Sequence, residues 1–146
     1  MNRFRTPDPR SEPLSRSLRA PTLPVREARG LRCFLTAHHP ERALSLALVQ
    51  HLSEEMPDIR FLHEHRPGRD PAIDVVWLLG YERGSSQAVR QLRERYPAAV
   101  LVVTASAREP WEGEVLAAGA DCALSWPVDY RRLSAALHRR SVQRRA

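Results

Sequence analysis

Lysine is absent from this 146-residue sequence, whose 23 basic residues are all arginine. A mechanism that needs a lysine ammonium, as nucleophile, Schiff-base former or compact counter-charge to phosphate, has no residue to use. The arginine-only usage also reads as the codon bias of a GC-rich bacterium. Cysteine is scarce, and Cys33 and Cys122 form neither a CxxC nor a spaced set of metal ligands, so they read as small buried hydrophobes in a reducing compartment. The opening residues lack the apolar run of a signal peptide. Nothing downstream approaches the roughly 20 apolar residues needed to span a bilayer, and the expectation is a soluble, cytoplasmic protein that makes no membrane contact. Glycine-rich phosphate loops and nucleophile–base pairs are missing as well, which argues against an enzyme.

What is present is charge, unevenly spread. The net +6 arises in the terminal stretches: residues 1–30 carry seven arginines against Asp8, Glu12 and Glu27, and residues 138–146 carry four arginines and no acid. The body between them holds twelve arginines and fourteen acids. Without aromatic interleaving or a helix-turn-helix pattern, nucleic-acid binding through the arginine-rich ends is an alternative and not the main reading. Residues 1–30, with five prolines and no sustained period of 2 or 3.6, are expected to be a disordered Pro/Arg-rich segment. Residues 31–138 form one domain of ordinary size, and 139–146 a basic tail.

Within the domain, RCFLTA reads as a strand and ERALSLALVQHLSEEM as a helix. DIRFLHEH, with Ile59, Phe61 and His63 alternating against Arg60, Leu62 and Glu64, reads as a half-exposed edge strand. AIDVVWLLG and AAVLVVTA are nearly continuous apolar runs, as in central parallel strands covered on both faces. Ser85 or Ser86 caps the helix SSQAVRQLRERYP, Gly119 ends the helix WEGEVLAAGA, CALS is a short fifth strand, and Asp129 caps YRRLSAALHRR. Five strands alternating with helices predict a three-layer, doubly wound parallel α/β sheet with its crevice at the carboxyl ends of the strands. Between the second and third strands only about nine residues remain, fewer than a helical crossover takes, so the second helix is expected to be missing or very short. Its loss would bare apolar surface for a partner or a second copy to cover.

From Thr104 to Pro127 the order VLVVTAS, helix, AGADCALSWP, then VDYRRLSAAL resembles the second half of a receiver domain of the response-regulator family, the CheY-like fold. LRCFLTAHHPERA extends the resemblance back to residue 31. It implies the strand order 2-1-3-4-5, a cis bond before Pro127, and a phosphorylation pocket at the strand ends. That pocket is degenerate: Leu79 takes the place of the acceptor aspartate, Ala37 and His38 that of the Mg²⁺-holding acids, and Trp126 that of the lysine. Only Thr104 survives of the essential set, and Leu79 and Trp126 are expected to fill the pocket as apolar core. Ala123 replaces the aromatic switch of the fifth strand, and Arg131 and Arg132 lie on the surface receivers commonly use for partners.

The expectation is a stand-alone pseudo-receiver, a bacterial regulatory adaptor needing no cofactor, whose partner is a kinase, a regulator, another adaptor target or a second copy. Trp77, within the third strand, and Trp111, at a helix start, read first as packing residues, and of the two Trp111 is the candidate for exposure and a place in an interface. The alternative is small-ligand or metal sensing at the remodelled crevice, where His38, His39, His63 and His65 could converge in the implied strand order, although they read first as exposed polar strand ends.

Overall fold

A computed structural model describes residues 30–39 and 44–145; the expectation for the N-terminal segment falls on residues outside these. The elements run β1 (Leu31–Ala37), α1 (Leu46–Glu55), β2 (Ile59–Leu62), β3 (Val75–Leu79), α2 (Ser86–Arg95), β4 (Val100–Ala105), α3 (Glu112–Ala117), β5 (Cys122–Ser125) and α4 (Tyr130–Arg145). All strand pairs are parallel, and the sheet order is β2-β1-β3-β4-β5, as the resemblance implies. β3 and β4 are buried at every residue because helices cover both faces of the sheet.

On one face α1 and α4 bring Leu52, Met56, Leu133 and Leu137 onto Leu35, Val75, Trp77, Leu79 and Val102. On the other, α2 and α3 bring Val89 and Val115 onto Val76, Leu78, Leu101 and Val103. The side chain of Ser45 caps α1 by accepting from the Leu48 N–H, so that helix begins at Leu46, later than the apolar spacing predicts. Asp129 caps α4 as expected, its carboxylate accepting the Arg132 N–H. α4 then continues seven residues beyond the domain boundary drawn at 138. Leu133 and Leu137 join the core cluster, and buried Ser141 follows at the same four-residue spacing on one face of the helix.

No helix lies between β2 and β3. The connection folds instead on its own polar groups: the Asp70 carboxylate accepts the Arg66 N–H, and Asp74 accepts the Arg32 N–H at the start of β1. His65 closes part of the bared sheet. Its Nε2 lies 2.7 Å from the Pro71 carbonyl, which only accepts, so Nε2 bears the proton and Nδ1 accepts from the Tyr96 hydroxyl at 3.0 Å. The imidazole and the phenol both pack on Phe34. A groove of about 490 Å³ remains beside them between β1 and α2.

Candidate functional site

The crevice at the carboxyl ends of β1, β3 and β4 is apolar. Ala37 stands opposite Leu79 in the β1–β3 ladder, and both are buried in the same cluster. One strand over, Thr104 is 1% exposed, and its Oγ1 accepts the Trp77 indole N–H at 3.0 Å. Trp126, at the end of β5, is half-buried and touches Trp77 and Tyr130 with ring centroids 6.4 and 6.3 Å away.

Leu48, Leu79, Thr104 and Trp126, with Gly80, Ala105 and Ser106, line a cavity of about 260 Å³. Leu79 and Trp126 therefore wall an open cleft and do not wholly fill it. No described carboxylate lines the cleft, and its side-chain oxygens are two neutral hydroxyls, so it offers a hard divalent cation no anionic ligand. Among the described residues no group of three or more His, Cys, Asp or Glu is placed to hold a metal ion.

The remaining residues singled out in the sequence go elsewhere. His38 turns to the α2 face, where it stacks on Tyr81 and lines the groove beside α2. Burial lowers its pKa, against a smaller opposing pull from Glu82. His39 meets the Glu82 carboxylate at 3.2 Å in an exposed position. His63 is exposed and His65 is committed to Tyr96 and Pro71, so the four imidazoles do not converge. Pro127, joined to Trp126 by a cis peptide bond, lines a different groove beside β5.

Trp111 is a packing residue, as its first reading has it, and not an exposed one. It is 2% exposed, packed on Tyr81 with centroids 5.8 Å apart, and its indole N–H has no partner among the described residues. Its cluster also holds Ala105, with Ala107 and Ala123 packed against it, small side chains that leave volume for a large one in a close-packed core. Beneath it the Tyr81 hydroxyl donates to Glu114, whose carboxylate also accepts the Gly84 N–H at 2.7 Å. Those two donors hold the Glu114 carboxyl below its usual range, while burial and then Glu114 push the Tyr81 phenol up. Sequence reasoning missed this tie because Gly84 and Glu114 are thirty residues apart and match no motif.

Arg131 and Arg132 are exposed on α4, and Ala123 is half-buried on the sheet edge. Arg132 and Ala123 share a groove with Leu116, Arg139 and Arg140. The sequence reading assigns Arg139 and Arg140 to the basic tail beyond the domain boundary at 138, although the helix read as YRRLSAALHRR already contains them.

No family model matches the chain, and no curated protein matches its sequence. Solved structures do match. A receiver domain protein described as CheY-like, from Methanospirillum hungatei, superposes with a TM-score of 0.56 at 11% identity, covering 80% of this chain and 98% of its own. The fold is that of a response-regulator receiver domain. Two further structures share it and are described as pilus assembly proteins. One, from Burkholderia pseudomallei, has a TM-score of 0.59 at 17% identity and covers 80% of this chain and 92% of its own. The other, a cpaE protein from Burkholderia thailandensis, has a TM-score of 0.57 at 18% identity and covers 77% and 98%. Within the receiver fold the strand order 2-1-3-4-5 puts the crevice at the ends of β1 and β3, where Ala37 and Leu79 meet. Among the described residues, no helix is long and apolar enough to cross a membrane.

Proposed function

We propose that this chain is a pseudo-receiver that acts in bacterial signalling or regulation by binding a protein partner without being phosphorylated. One observation carries the reading: the crevice is walled by Leu79 and Trp126 and lined by no described carboxylate. Leucine offers no nucleophilic oxygen, and a cleft without paired carboxylates gives hydrated Mg²⁺ no reason to shed its waters. The surviving hydroxyl, on Thr104, is engaged by Trp77. Ala123, small where the family has an aromatic, packs against the same core cluster that holds buried Trp111, which supports a fixed outer surface over a switched one.

Such a protein works as an adaptor presenting one constant face. Two solved structures with this fold are described as pilus assembly proteins, so an assembly machine is a reasonable setting in which to seek the partner. The test is affinity capture from the native host with and without Mg²⁺ and acetyl phosphate. The same partner at the same yield is expected under both conditions, and a partner that binds only after phospho-donor treatment would overturn the proposal.

A further inference from the structure

We infer that the sheet face left bare between β2 and β3 is a docking site, and that its occupant is an amphipathic helix of another protein, acidic at one end; this rests on the protein-binding reading above. Side chains alternate across β1, so its odd-numbered residues join the core under α1 and α4 while Arg32, Phe34 and Thr36 face the other way. In β2, Arg60 and Leu62 share that second face, opposite buried Ile59. The parallel register sets Arg32 beside Arg60 and Phe34 beside Leu62. One charged pair and one apolar pair thus lie where the β2–β3 connection supplies no helix.

Like charges directly opposite one another on adjacent strands, about 4.8 Å apart, are unfavourable in the free chain. Among the described residues no ion pair reaches Arg32 or Arg60, both exposed. Of the nearby acids, Asp70 accepts the Arg66 N–H, Asp74 accepts the Arg32 N–H, and Glu64 is exposed. A carboxylate brought in by a partner relieves the repulsion. The two arginines and Leu62 line a groove of about 270 Å³ at this end of the face, and Thr36 and Leu92 line the 490 Å³ groove at the other. His65 and Tyr96 sit on Phe34 between them. Arg32 and Thr36 are roughly 13 Å apart along the strand, a span that a helix covers with side chains about seven or eight residues apart on one face. One apolar anchor then enters each groove while carboxylates lie over the arginine pair. A strand added at the open edge of β2 would leave this face wet, and a nucleic-acid backbone would answer the arginines but not Leu62.

The experiment selects binders to the full chain from a phage-displayed library in which one face of a stable helical hairpin is randomised, then measures the winners against wild type and R32Q/R60Q. The expected winners carry two apolar residues about seven or eight positions apart with Asp or Glu at one end, and bind the variant about tenfold or more weakly. Their binding to wild type weakens as salt rises, a readout that does not depend on the variant's folding, and it moves the amide resonances of Arg32, Phe34 and Leu62. Neutral or basic winners, resonance changes confined to other faces, equal binding by a folded variant, no winners at all, or a duplex oligonucleotide that displaces them would each overturn the inference. So would a dimer of the full chain in sedimentation that buries the same face, since a second copy would then be the occupant. A phosphoryl group accepted at the crevice would instead count against the pseudo-receiver reading, so the two failures are separable.

Discussion

The indole N–H of Trp77 reaches from β3 to the hydroxyl of Thr104 on β4 at 3.0 Å, with both side chains sealed from water. The threonine at the crevice is thereby a partner of the core. Thr104→Val keeps the shape and strands a buried donor, so it should cost about 1–3 kcal/mol, and Thr104→Ser less. Urea denaturation checks this; a neutral Thr104→Val would show that the bond contributes nothing.

His65 stands in for a missing element. Removing it as His65→Ala breaks its bonds to Tyr96 and Pro71 and uncovers Phe34. A loss of about 1–2 kcal/mol is expected, together with faster amide exchange confined to residues 63–74 and the neighbouring end of β1. Tyr96→Phe should reproduce only part of it. Unchanged exchange in that connection would refute the role.

Arg93 gathers the turn before β4 and the turn before β5. Its guanidinium donates to the carbonyls of Tyr96, Pro97, Ala99 and Gly119 and pairs with Asp121. Arg93→Ala leaves that partly buried carboxylate without its charge partner and should cost about 3 kcal/mol. Arg93→Lys should recover little, because one ammonium cannot span so many acceptors. Gly119 has φ +120°, and a Cβ there would come within 3.0 Å of the Arg93 side chain, so Gly119→Ala should destabilise through both strain and displacement of the arginine. Thermal denaturation separates the three variants.

Two groups set the acid side of the stability profile. The folded-state pKa of His38 is lowered, chiefly by burial, so the unfolded chain takes up the proton first and stability falls as pH drops through the ordinary histidine value of about 6.5. His38→Gln should flatten that limb. Glu114 is depressed by its bonds from Tyr81 and Gly84. Its contribution is full above the ordinary carboxyl value of about 4.3 and is lost as pH falls from there through its lowered folded value. Glu114→Gln should remove this second limb alone, as denaturation midpoints across pH would show.

The parts of the fold legible in the sequence were those where a pattern has one structural meaning. The runs through Val75–Leu79 and Val100–Ala105 are too continuously apolar for anything except strands covered twice, and the short stretch before Val75 leaves no room for a helix. The two readings of Trp111, packed or exposed, stay open in sequence because an indole at a helix start looks the same whether it faces water or the core, and only the fold decides for the core. The histidines do not gather as the metal-sensing alternative requires, because one of them, His65, is held by Tyr96, thirty-one residues along the chain. The far end of α4 was hidden by composition: arginines after residue 138 read as a tail, while Ser141 in the same stretch is buried.

The central claim is that the crevice between Ala37, Leu79 and Trp126 cannot take up a phosphoryl group. Incubating the full chain with acetyl phosphate and Mg²⁺ and following the intact mass measures this directly. The account predicts no adduct at any donor concentration. Saturable, Mg²⁺-dependent formation of a phosphoryl adduct on an aspartate or glutamate would contradict it.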